Sequence, residues 1–431
     1  MTFVRPPGGR ANHPRTLRWR LLCRVPFPFP FARRFFQRWR DGDADRPHEV
    51  AVAFKLSVRT VQRLFARFAR LGDKGVAPNY TACGQKQPTR TPAPTVQRLC
   101  RIRRKHPRWG SEMVRLELSE EFDNPPGART IRRHLHHAGL QPPPAGRPSS
   151  PSPQRPRAER PHQGWQMDAC EYLRLKSDKR VCWLRVVDEC TGAYLQTVIF
   201  SHARWEHVGR HQVQEALRQT FARWGLPERI RVDNGYPWGN SGDFPPELAL
   251  WVLGLGVEMV WIQPACPQQN GVVERSQDIG QDWFEPGTCR SAAELQRRCE
   301  VLDRRQREQY PYHAGKSRWE VYPALKHSGQ WYRVRQERTH WQVSRVHETV
   351  SRWVVTRQVD RNGNVSVYNR GRYVGKTHIG KRVFVSLDPS GPTWVIADHE
   401  GRQLRTHPAE ELTADRICRL SVTTRKGKRR E

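Results

Sequence analysis

The chain has 431 residues, with 75 Lys and Arg against 42 Asp and Glu, a formal net charge of +33. That length is a prior for about two to four domains. The one-sided charge, spread along the whole chain instead of beside an apolar anchor, favours a nucleic-acid partner over an anionic membrane. No apolar run approaches the ~20 residues of a membrane helix, and the ten cysteines are scattered without a Cys-x-x-Cys pair, which argues for reduced thiols in a cytoplasmic protein.

Residues 1–40 are rich in Arg, Pro and Phe and read as a disordered basic leader. Its segment 19–38 is faintly like a signal peptide, but Arg24, Arg33, Arg34 and repeated prolines break the apolar core such a segment needs. Residues 41–85 predict a helix-turn-helix: a short helix at 49–54, a turn with Ser57 as N-cap, and a second helix at 59–68. Val61, Leu64, Phe65 and Phe68 fall on one face of that second helix at spacings of three and four. Arg59, Gln62, Arg63 and Arg67 lie off it, where a recognition helix meets the major groove. A surface helical hairpin is the competing reading.

Residues 86–140 predict a second helical DNA-binding unit. Val96, Leu99 and Ile102 repeat on one helical face, Trp109-Gly110-Ser111 opens another helix, and a third begins at Ala128. Arg129, Arg132 and Arg133 are placed to face phosphate. His134, His136 and His137 cluster there without a cysteine pair at zinc spacing, so they fit a DNA-facing helix better than a metal site. Residues 141–161 form a proline-rich, semi-stiff linker.

The segment 162–312 changes pattern. Strands are expected at 166–175, 181–187 and 193–200, joined by hairpin-like turns. A helix at 206–224, a strand at 229–233, a helix at 246–253, a strand at 256–262, and helices at 270–284 and 292–309 come next. This is an α/β sheet. Residues 330–415 hold short strands, with Arg361-Asn362-Gly363-Asn364 as a hairpin signal, and predict a small all-β barrel. The end, 416–431, is a basic tail.

Three carboxylates in the α/β segment carry the chemistry: Asp168 in Trp-Gln-Met-Asp, Asp233 in Asp-Asn-Gly, and Glu274 in Pro-Gln-Gln-Asn-Gly-Val-Val-Glu-Arg. Each sits on or beside a rigid element, as ligands of hard divalent cations must. Alone, each motif is weak, since Asp-Asn-Gly is an ordinary turn and most acidic residues merely face water. In this order the three resemble the retroviral-integrase-like DDE transposases of bacterial insertion sequences.

That resemblance implies a multidomain protein: all-α helix-turn-helix units, a ribonuclease-H-like α/β catalytic core, and a small all-β C-terminal barrel. It implies Asp168, Asp233 and Glu274 as the metal-binding and catalytic triad, with Mg²⁺ or Mn²⁺, two per active site. It places Asn270 and Gly271 at a loop and helix start that approach DNA, and Trp165 at the start of the first core strand. The implied function is binding of element ends, phosphodiester cleavage, and joining of the 3′ ends to target DNA. The implied partners are double-stranded DNA, both terminal repeats and target, and further copies of the chain as a homodimer or larger assembly, at the nucleoid and not at a membrane. Two features depart from the family. The stretch from Asp233 to Glu274 is longer than usual, with the excess in residues 236–242, and Gln281 stands where a basic residue often follows the glutamate, leaving Arg275 as the alternative DNA contact. Two rivals remain open: a DNA-binding regulator or domesticated protein with an inactive core, and a ribonuclease-H-like nuclease without strand transfer.

Overall fold

The computed structural model describes residues 47–53, 56–72, 91–141, 157–201, 208–239, 243–263 and 266–423. The expected leader, most of the proline-rich linker and the Arg-Lys run of the tail lie outside the described residues. The chain divides into two compact units, residues 1–92 and 93–431.

In the first unit, α1 (Pro47–Ala53) and α2 (Val58–Leu71) form the helix-turn-helix. Ser57 caps α2 as its composition suggests, its hydroxyl accepting from Thr60 N at 3.2 Å. Val61, Phe65 and Phe68 are buried with Ala51, so the apolar face that the spacing picks out is the face packed against α1.

The second unit begins with α3 (Ala93–Lys105), α4 (Ser111–Leu118) and α5 (Ala128–His137). These helices do not stand apart from the α/β segment. Leu99, Ile102, Met113, Ile131 and Leu135 share one apolar cluster with Trp183, Trp283 and Phe284. Polar contacts fix the docking: Trp109 Nε1 donates to Trp283 O at 3.0 Å, and His106 Nδ1 meets Glu285 Oε2 at 2.6 Å with both side chains largely buried.

The central sheet has the order β3-β2-β1-β4-β5. Strands β1 (Gly164–Arg174), β2 (Arg180–Asp188) and β3 (Tyr194–Ser201) are antiparallel, and β4 (Arg229–Val232) and β5 (Glu258–Trp261) run parallel to β1. Parallel neighbours need crossovers, which α6 (Arg210–Trp224) and α7 (Glu247–Gly254) supply. The period of two then sorts side chains by face. Trp165, Met167, Cys182, Leu184, Ile230 and Val232 pack with Val213, Leu217 and Phe221 of α6. Residues of opposite parity, among them Trp183 and Val187, pack with α8 (Gly271–Phe284) and α9 (Ala292–Glu308).

The C-terminal part extends the α6-side core. Short helical turns lead to α10 (Val343–Ser351), which packs against α7. The expected barrel does not close. Strands β9 (Arg382–Asp388), β10 (Thr393–Ala397) and β11 (Gln403–Pro408) join β6 (Val355–Gln358) in an open four-stranded sheet, order β11-β10-β9-β6. The remaining strands, β7 (Asn364–Val367) and β8 (Arg370–Tyr373), form a separate hairpin. The Asn362-Gly363 turn does form, Gly363 N bonding Asp360 O at 2.9 Å, but it joins strands of two different sheets. The hairpin is made instead at Tyr368-Asn369, with φ of 48° and 62°, the paired left-handed residues that a tight two-residue turn demands.

Candidate active site

Strand register sets the first two carboxylates side by side. Gln166 and Arg231 are partners across the parallel β1–β4 pair. Two residues further on, on the same face, come Asp168 within β1 and Asp233 just past the end of β4. That face is the one covered by α8, whose first turn carries Glu274. Burial, then the Asp233 carboxylate, push the Asp168 carboxyl up to about 6, with Glu274 adding a smaller push and Gln277 opposing it. Burial and then Asp278 raise Glu274. The first two motifs, 65 positions apart in the sequence, thus come side by side, and Glu274 stands exposed in the first turn of the helix that covers their face.

Neighbouring groups hold the two aspartates. Gln277 Nε2 reaches Asp168 O at 3.3 Å and Oδ2 at 3.4 Å, and its own carbonyl accepts from Trp183 Nε1. Asp233 Oδ1 accepts from Gly235 N at 3.1 Å and from Trp238 Nε1 at 2.6 Å. Asn234 Nδ2 ties the same turn to Ile262 O at 2.8 Å. Trp238 lies in the stretch that makes the Asp233–Glu274 spacing long, and only 2 % of it is exposed. Part of that extra length is therefore packed against an acid.

Three supporting residues escaped the sequence reading: Gln166, Gln277 and Trp238. The two glutamines did leave a signal. Gln166 precedes Asp168 by two on a strand, and Gln277 follows Glu274 by three on a helix, so each shares a face with an acid.

The other site residues are distributed as follows. Arg59, Gln62 and Arg63 are exposed on α2, with Arg67 half-buried. Arg129, Arg132 and Arg133 are exposed on α5, opposite its buried Ile131 and Leu135. Arg275 is exposed beside Glu274. Asn270, expected beside DNA, is only 2 % exposed, because the short helical turn Pro267–Asn270 folds it under the start of α8. Gln281 is exposed, with its amide 3.5 Å from Cys170 Sγ.

Among the described residues, no three His, Cys, Asp or Glu side chains are arranged to hold one ion jointly. No helix of the described residues is long and apolar enough to cross a membrane.

Comparison with known proteins gives one family match and several structural likenesses. A family described as a homeodomain-like domain matches residues 60–135, from within α2 into α5. The simian T-cell lymphotropic virus intasome, solved with the PP2A regulatory subunit B56 gamma, is 17% identical at a TM-score of 0.33, over 52% of this chain and 73% of that one. The HTLV-2 integrase catalytic core in complex with magnesium is 18% identical at 0.29, over 38% of this chain and 97% of that one. The BIV integrase catalytic core is 18% identical at 0.30, over 39% and 97%.

Proposed function

We propose that the chain is a DNA transposase of the integrase type, a metal-dependent polynucleotidyl transferase with Asp168, Asp233 and Glu274 as its catalytic carboxylates. The observation that supports the reading is the shared face: the Gln166–Arg231 register brings Asp168 beside Asp233, and the helix that covers that face carries Glu274 in its first turn. The raised Asp168 carboxyl, due first to burial and second to the Asp233 carboxylate beside it, supports the same reading.

The donor set suits Mg²⁺ or Mn²⁺. It is all oxygen, where zinc would prefer His or Cys. Mg²⁺ takes only one or two protein carboxylates and completes its shell with water and phosphate oxygen, so Asp168, Asp233 and Glu274 are the residues that would hold the cations. When bound, the cations supply Lewis-acid stabilisation of the attacking and leaving oxygens. The protein's own part is to hold the acids: Trp238 and Gly235 fix Asp233, and Gln277 fixes Asp168. In the first reaction a water oxygen bonds to phosphorus and the bond to the 3′ oxygen breaks, freeing a 3′ hydroxyl. In the second, that hydroxyl oxygen bonds to a target phosphorus and a target strand oxygen leaves.

In this reading α2 recognises the element ends through Arg59, Gln62, Arg63 and Arg67. Arg129, Arg132, Arg133 and Arg275 meet phosphates, and the working form is a homodimer or larger assembly on two ends. The test is Asp233→Asn in the full chain, assayed on DNA carrying the element ends with Mg²⁺. Cleavage should fall to background while end binding and thermal unfolding stay near wild type. Full cleavage by a folded Asp233→Asn chain would sink the assignment.

A further inference from the structure

The polar groups behind the carboxylates form one buried chain that reaches all three elements bearing them. Helix α8 starts without a cap of its own, since Asn270 makes no side-chain cap bond. Its first amides still need acceptors, and Gln166 of β1 provides one. Gln166 Oε1 accepts from Val272 N and Val273 N, both at 3.1 Å. Its amide nitrogen points the other way, to Glu189 Oε1 at 3.2 Å and Gln269 O at 3.4 Å. Glu189, 3 % exposed at the end of β2, also meets Arg231 at 3.3 Å and Arg229 at 3.9 Å. Gly164 leaves room for this carboxylate, because a Cβ there would stand 2.5 Å from Glu189 Oε2.

The placement has a consequence for the acids. Gln166 lies two residues before Asp168, Arg231 two before Asp233, and Val273 one before Glu274. Glu189 fixes which end of the Gln166 amide faces the helix, because its carboxylate can only accept. We propose that Gln166, oriented by Glu189, is a positioning residue that sets the height of Glu274 against Asp168 and Asp233. This rests on the reading of the three acids as the metal site. Gln166 touches no reacting atom in it and acts only through the start of α8.

An exchange of the two side chains tests the idea. Gln166→Glu faces Glu189 with a like charge and should weaken Mn²⁺ binding by about 10- to 100-fold, the usual effect of losing a supporting contact. Amide hydrogen exchange at Val272 and Val273 should quicken with it. Adding Glu189→Gln restores the bonds to the helix amides and between positions 166 and 189 with the roles reversed, and leaves only the 3.4 Å bond to Gln269 O unmade. The carboxylate now at position 166 accepts from the two helix amides, and the amide nitrogen now at position 189 donates to that carboxylate. The carbonyl of the same new amide accepts from Arg231. The double variant should recover Mn²⁺ affinity to within a few-fold of wild type, read by titration of the protein with Mn²⁺ alone. A folded double variant no better than Gln166→Glu overturns the proposal, as does a Gln166→Glu chain with wild-type Mn²⁺ affinity. Should Gln166→Glu fail to fold, Glu189→Gln alone decides: affinity reduced several-fold supports the orienting role, and unchanged affinity overturns it. If Asp233→Asn leaves cleavage intact, the metal-site reading itself has failed. If that variant is dead and Gln166→Glu is normal, only the positioning role has.

Discussion

Arg185 is the partner of Asp168 across β1 and β2, yet it is fully buried and points beneath α8. Its guanidinium donates to Ser276 O and to Thr197 Oγ1, and it lies against the rings of Trp183, Tyr194 and Phe284 at 4.6–5.3 Å. A buried cation needs such partners, and hydrogen bonds and ring faces both supply them. Gly280 is what lets it fit: a Cβ there would overlap Arg185 Nη1 and stand 2.8 Å from Cζ. The end of an arginine can normally swing aside, but this one is held on several sides. Gly280→Ala should therefore destabilise the chain by about 1–3 kcal/mol, the usual cost of overpacking, in place of the gain that alanine brings to a free helical site. Gly271, with nothing within 4 Å of its Cβ position and an ordinary helical φ of −62°, is the control. Denaturant unfolding of the two variants checks the difference, and equal stability would show that Arg185 yields.

At the scale of elements, the helices and strands of the core were legible because burial follows period. Val213, Leu217 and Phe221 on α6, and alternation along β1 and β4, are direct readouts of what each face touches. The carboxylate motifs were legible because they sit at element ends with distinctive neighbours. Docking was not. Nothing in the local pattern of residues 93–140 distinguishes an apolar face that closes on its own bundle from one shared with Trp283 and Phe284. The C-terminal strands were found one by one, but which sheet each joins depends on long-range pairing, and the Asn-Gly signal marked a turn without marking its partner strands. The glutamine cap on α8 was invisible for the same reason, since Gln166 and Val272 are 106 positions apart. The docking makes a prediction of its own. Trp109 is 4 % exposed, stacks on His106 at 3.9 Å and bonds Trp283 O. Trp109→Ala should cost about 3–5 kcal/mol, whereas Arg133→Ala on the exposed side of α5 should stay within about 0.5 kcal/mol. If residues 93–140 melt in a separate transition, and Trp109→Ala shifts only that one, the shared core is wrong.

At the scale of the whole molecule, the residues proposed to read DNA and the three acids belong to different compact units: Arg59, Gln62 and Arg63 to the first, Asp168, Asp233 and Glu274 to the second. One chain offers one set of acids, while joining two element ends to one target needs two sets held together. A net charge of +33 repels like copies of the chain, so neutralisation by DNA phosphates, with release of their counterions, is the natural condition for assembly. Separate units also allow the chain that reads an end to differ from the chain that cuts it. Mixing two inactive variants tests this. A Glu274→Gln chain retains recognition and lacks an acid. A chain carrying Arg59→Ala, Arg63→Ala and Arg67→Ala retains the acids and lacks the basic face of α2. Cutting in trans predicts that the mixture regains end cleavage that neither protein shows alone, with a maximum near equal amounts of the two. Recovery requires that one chain's α2 deliver an end to the other chain's acids, because no single chain in the mixture has both. A mixture as inactive as its components, with both proteins folded and Glu274→Gln still binding the ends, means that each chain cuts the end it binds.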